Sequence, residues 1–137
     1  MKKYFLLVFT LFLVSNINAQ VAVIANKSVS ETTIKTSKVS DIYTLRNKSW
    51  TNGNAITVFT LKSEDAVVDK FYSSFEKSSS DMKKLWMKLQ LTGEGMAPEA
   101  LNSSDEMISK VASTTGAIGF IDAKKVNDKV KVLLTIN

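Results

Sequence analysis

Lys62 and Ser63 stand where a short β-branched run, AITVFTL, gives way to a helical pattern. A cation and a hydroxyl at a strand-to-helix junction suit a small oxyanion. The first N–H groups of a helix have no intrahelical partner, and the helix dipole favours negative charge at that end. Glu64 and Asp65 follow in the first turn and complement the same dipole from within the chain. Two other loops place polar groups or glycine at strand ends. Asn26 and Ser28 follow the apolar run VAVIA, and Thr115 and Gly116 precede AIGFID. Asn26, Ser28, Lys62, Ser63, Thr115 and Gly116 are therefore the candidate ligand contacts.

Other chemistries find little support. The 137-residue chain has no His and no Cys, which removes the commonest metal ligands and the usual base or nucleophile of hydrolases. Its single Arg is Arg46, so bidentate clamping of an anion has one candidate at most. No Asp, Glu, Lys, Ser or Tyr spacing forms a recognisable catalytic set. The expectation is a protein that is not an enzyme and holds no cofactor or metal.

The first 19 residues read as a targeting segment. MKK supplies positive charge, Tyr4 to Val14 form an apolar run, and SNINA is polar and ends in a small residue. That is the layout of a secretory signal peptide, with cleavage expected after Ala19. The apolar run is well short of the roughly 20 residues that a membrane-spanning helix needs. Residues 20–137 then form one domain, periplasmic or secreted, large enough for a core without disulfides. Losing Lys2 and Lys3 lowers the formal charge from +5 to +3. That charge is too mild, and its lysines too scattered, to imply nucleic acid.

The elements that must position these residues follow from periodicity. VAVIAN reads as a strand buried on both faces, and AITVFTL as a second strand. Between them, 27–40 read as loop with short helical turns, 41–46 as a short helix, and Asn52-Gly53 as a tight turn. Trp50 beside that turn reads first as a packing residue over a sheet edge. Val67, Val68, Phe71, Tyr72 and Phe75 make one face of a helix that Ser63 would cap. Asp81 or Ser80 would cap a second helix, with Met82, Leu85, Trp86 and Leu89 turned inward. TGEGMAPEAL reads as a loop. Ser103 or Ser104 would cap a third helix facing Met107, Ile108 and Val111 to the core. AIGFID and VKVLLTI close the chain as strands. Alternation of strands and helices implies an α/β fold, a mixed sheet with helices on its faces. Such a sheet binds ligands beyond the carboxyl ends of its strands. The loops expected there are Asn26 to Ser30, Leu61 to Asp65 and Thr114 to Gly116.

The order of VAVIANKSVS, DIYTLRNKSW, AITVFTLKSED, SSDEMISKVASTTGAIGFID and VKVLLTI resembles one lobe of the type II periplasmic binding proteins, specifically the phosphate-binding proteins of ABC transporters. The resemblance covers most of residues 20–137. It implies a lobe whose helix N-termini face a cleft, and an exported solute-binding-like domain for phosphate or a similar oxyanion. In that family an Arg precedes a Ser-Gly-Thr run that opens a helix and receives the anion. Here Ser63 stands in the Ser position, Lys62 is the nearest cation, and Glu64 and Asp65 stand roughly where the Gly and Thr would be. Like charges about 4 Å apart cost on the order of 1 kcal/mol in water and about 4 kcal/mol at an effective dielectric of 20. Weak or lost binding is therefore expected. A single lobe also offers only half a site, which a membrane transporter, a partner protein or a second copy in a dimer would complete. The alternative is an accessory interaction domain that has lost its ligand.

Overall fold

The computed structural model describes residues 19–62 and 66–137. Five strands form one sheet in the order β3-β2-β4-β1-β5. The strands are β1 (Val21–Ala25), β2 (Thr57–Leu61), β3 (Glu99–Leu101), β4 (Ala117–Asp122) and β5 (Lys131–Ile136). β2 runs parallel to both β3 and β4, whereas β1 is antiparallel to β4 and to β5. The sheet is mixed, as expected, and β1 is its one reversed strand among the described residues.

β1 is bonded on both sides and no residue of it is more than 1% exposed. Five consecutive small or branched apolar residues suit that position, since both faces of the strand meet side chains. Among the described residues four α-helices cover the sheet: α1 (Thr36–Tyr43), α2 (Ala66–Ser73), α3 (Ser79–Leu91) and α4 (Ser104–Ser113). On one face Phe71 of α2 stacks on Phe120 of β4 with ring centroids 3.8 Å apart. Tyr43 of α1 meets Phe71 edge-on at 4.8 Å, and Tyr72 meets Trp86 of α3 at 6.2 Å. Edge-on pairs of this kind add about 0.5–1.5 kcal/mol each beyond the area they bury. The polar ends of these rings are also satisfied. Tyr43 Oη donates to the Phe59 carbonyl, Trp86 Nε1 donates to the Tyr43 carbonyl, and Tyr72 Oη pairs with Thr60 Oγ1. On the other face α4 lies against β4. Gly119 makes room for it: a Cβ there would sit 2.3 Å from Met107 Sδ.

Three expectations are corrected. The first helix is α1 at 36–43, not 41–46, because Val39, Ile42 and Tyr43 are its buried stripe. Its N-cap position is Lys35, which makes no side-chain cap. The cap of α3 is Ser78 rather than Asp81 or Ser80. Ser78 accepts from the Asp81 N–H and Asp81 accepts from the Ser78 N–H, a capping box. The segment read wholly as loop contains β3, whose three residues pair with Phe59, Thr60 and Leu61.

Hydrogen bonds from the Ser78 N–H and hydroxyl hold the Asp81 carboxyl below the usual carboxylate range. A depressed folded-state pKa stabilises above the unfolded value and is lost as pH falls through the folded one. Wild type should therefore melt above Asp81→Asn near neutral pH, and the two melting curves should converge in acid. Thermal denaturation followed by circular dichroism across pH 2–7 checks this.

Candidate functional site

The reversed strand decides where the candidate residues lie. β2, β3 and β4 all end at one edge of the sheet, where Lys62 follows Leu61. β1 ends at the opposite edge, because Ala25 pairs with Ile118 near the start of β4 while Val21 pairs with Asp122 at its end. Asn26 and Ser28 therefore sit beside Gly116, and Thr115 precedes it at the amino end of β4. The five residues of β2 separate the two edges, four steps of about 3.3 Å or roughly 13 Å. The five expected contacts among the described residues thus do not gather. Of these five, only Lys62 lies beyond the carboxyl ends of the parallel strands; Asn26, Ser28, Thr115 and Gly116 lie at their amino ends. Ser63, with Glu64 and Asp65, falls outside the described residues.

At the amino edge the polar groups bind one another. Asn26, 9% exposed, donates from Nδ2 to the carbonyls of Val111 at 2.8 Å and Ala112 at 3.0 Å. These are carbonyls of the last turn of α4, which lack helical partners. Asn26 Oδ1 accepts from the Ser28 N–H, and Ser28 Oγ accepts from the Gly116 N–H. The Gly116 carbonyl accepts from Trp50 Nε1 at 2.9 Å. Trp50 is 2% exposed, which fits its reading as a packing residue. Gly116 holds φ 73°, and a Cβ there would lie 2.3 Å from the Ala55 carbonyl oxygen. Thr115 is exposed. Nearby, Glu31 accepts from the Thr51 N–H and hydroxyl. Partial burial raises the Glu31 pKa, but those bonds outweigh it and leave it below the usual range. This edge is a latch that joins β1, α4, the 50–54 turn and β4.

At the carboxyl edge the arrangement is more open. Lys62 is exposed, and its N–H donates to the Leu101 carbonyl at 2.8 Å, which ties it to the end of β3. Beside it opens a cleft of ≈ 220 Å³ whose lining includes Thr60, Lys62, Tyr72, Lys83, Trp86 and Pro98. That volume suits a small anion or a short side chain. Burial pushes the Tyr72 phenol up, so it stays protonated at neutral pH. The α4 N-terminus lies at this edge too, and the chain's own side chains cap it. Ser103 Oγ accepts from the Glu106 N–H, and the Glu106 carboxylate accepts from the Asn102 N–H. Arg46 is held elsewhere, 3.6 Å from Asp41. Among the described residues no group of three metal-ligating side chains occurs. No helix among them is long and apolar enough to cross a membrane.

No family model matches the chain, and no curated protein does. Solved structures do match in fold. A protein from Clostridium perfringens, described as a phosphate ABC transporter substrate-binding protein and solved with bound phosphate, superposes with TM-score 0.64 at 20% identity. An ABC-type phosphate transport receptor from Vibrio cholerae gives 0.56 at 20%, and PstS from Borrelia burgdorferi gives 0.59 at 17%. Each match covers 84% of this chain but only 45%, 46% and 47% of those chains. The chain therefore has the α/β fold of these binding proteins over somewhat less than half their length. The expected likeness to a single lobe holds at the level of fold.

The latch has a measurable cost when broken. Asn26→Asp would turn a carboxylate toward two carbonyls at the negative end of α4 and should destabilise by about 3 kcal/mol. Gly116→Ala combines left-handed strain with a backbone clash and should cost a similar amount, about 3 kcal/mol. Urea denaturation measures both.

Proposed function

We propose that this chain is an exported solute-binding-like domain that offers half of a weak oxyanion site at the carboxyl end of β2. Lys62 and Ser63 are its contacts, and phosphate or a similar small anion is the ligand. The observation that supports this reading is the placement of Lys62. It is the one expected contact among the described residues beyond the carboxyl ends of the parallel strands, next to an open cleft, in a fold shared with phosphate-transport binding proteins. Asn26, Ser28, Thr115 and Gly116 serve the opposite edge in this reading. Glu64 and Asp65 follow Ser63 in sequence and oppose an incoming dianion. Removal of residues 1–19 yields the domain 20–137. A transporter, a partner protein or a second copy supplies the missing half of the site. The binding-protein character of the structural neighbours supports transport or recognition rather than catalysis.

Isothermal titration with phosphate, sulfate and a small carboxylate tests the reading. Weak heat is expected with at least one of them. It should be lost in Lys62→Ala and should strengthen severalfold in the Glu64→Gln/Asp65→Asn double variant. Silence from both wild type and the double variant would discard it. That silence would favour the second reading, an interaction domain without a solute, which the exposure of Met87 and Leu91 on α3 supports.

A further inference from the structure

Asn52 is the one asparagine of the chain that precedes a glycine. The pair lies in a hairpin whose loop is Thr51 to Gly53. The Trp50 N–H donates to the Asn54 carbonyl at 2.8 Å, the Gly53 N–H donates to the Trp50 carbonyl at 2.9 Å, and Ser49 bridges to Ala55. Gly53 holds φ 86°, the left-handed position that a three-residue hairpin loop gives to glycine. Residues 51–55 are all exposed, so water reaches the turn. A Cβ on Gly53 would meet nothing within 4 Å, so no neighbouring group crowds its backbone from that side.

An asparagine followed by glycine is chemically labile. The glycine amide loses its proton to solvent base, and its nitrogen attacks the asparagine Cγ. The new N–Cγ bond closes a cyclic imide as the Cγ–Nδ2 bond breaks, and the departing nitrogen takes up a proton and leaves as ammonia. Water then opens the imide at either carbonyl and yields aspartate or isoaspartate. This turn makes one half of the reaction ready and holds the other back. Asn52 Oδ1 accepts from the Asn54 N–H at 3.0 Å. That donor draws density from Cγ and faces the oxygen on which negative charge grows during attack. The nucleophile is withheld, because the Gly53 N–H is engaged by the Trp50 carbonyl. A hydrogen-bonded amide yields its proton only when the bond opens locally. Asn26 lacks these features: it is buried, and its Nδ2 is bonded to two carbonyls.

Two anchors keep the turn closed. Trp50 is buried, and its indole holds the Gly116 carbonyl. Thr51 is tied by its N–H at 2.9 Å and its hydroxyl at 2.7 Å to one carboxylate oxygen of Glu31, whose other oxygen accepts from Ser30. Bonds to a carboxylate are stronger than neutral ones. We propose that Asn52 is a site of spontaneous deamidation, that the Glu31 clamp sets its rate, and that the product loosens the latch at the amino edge. A carboxylate at position 52 stands one residue from the group that Glu31 holds, and the like charges oppose the clamp. Isoaspartate also adds a carbon to the main chain inside a short loop, so the Gly53-to-Trp50 bond loses its register. Modification and opening therefore reinforce each other. This inference does not rest on the anion reading.

The test incubates the purified protein in mildly alkaline buffer, folded and in urea, and follows its peptides by mass spectrometry, with aspartate and isoaspartate forms separated by chromatography. Asn52 should convert before any other asparagine, and several times more slowly in the folded protein than in urea. Glu31→Ala should raise the folded-state rate roughly three- to tenfold, with circular dichroism unchanged, and should leave the rate in urea as it was. Thr51→Ala, a smaller change, removes the hydroxyl half of the clamp and should give an intermediate rate. Asn52→Asp should lower the melting temperature, and by less when Glu31→Ala is also present. Another asparagine reacting first, a folded protein that does not react or that reacts as fast as in urea, or wild-type rates in both clamp variants would overturn the proposal. Equal melting of Asn52→Asp and wild type would overturn the link to the latch.

Discussion

The structure depends on Val21–Ala25 running backward through a sheet whose other strands share one direction. This strand carries no polar side chain and is fully enclosed, so its backbone bonds to β4 and β5 hold the two sides of the domain together. Reversal also fixes where its loop emerges. Because β1 leaves the sheet where β4 and β2 enter it, Asn26 arrives beside the last turn of α4 and can meet that helix's unpaired carbonyls. The same geometry leaves the opposite edge to Lys62 and the cleft beside it. One topological choice therefore sorts the molecule into a closed end and an open one.

Much of this was legible in the sequence because period and burial agree. VAVIA, TVFTL and AIGFID are apolar and β-branched, and they are strands. Val67, Val68, Phe71 and Tyr72 repeat at helical spacing and are the buried face of α2. Other features left no local trace. α1 begins without a capping side chain, so nothing in residues 32–36 marks its start. β3 is too short, and too close to a Pro and two glycines, to rise above its surroundings; it is a strand only because β2 lies beside it. Strand direction is likewise a property of the sheet. A rule that places ligands beyond carboxyl ends applies to Asn26 only if β1 is parallel, and a single sequence does not state that.

The candidate site shows the same limit at finer scale. Lys62 was readable as a cation after a strand, and Gly116 as a helix stop. That Asn26, Ser28, Gly116 and Trp50 satisfy one another was not, since the pairs lie far apart in the chain and polar loop residues carry no sign of whether protein or solute completes them. The exposed stripe of α3 escaped for the converse reason. Met87 and Leu91 extend an apolar helical pattern that normally marks a core, and only the fold leaves them outside it.

Pairing of Val21 with Ile136 and with Asp122 also bears on how the molecule assembles. This strand is synthesised early, yet both of its neighbours come from the far end of the chain. Loop-closure entropy must be met before those long-range contacts give any return, so sheet formation waits for nearly the whole domain. Until β4 and β5 arrive, Val21–Ala25 remains a naked apolar segment. A chain built this way is slow to become compact while still incomplete, and its apolar strand stays open to contact with other chains until the far end of the domain is made.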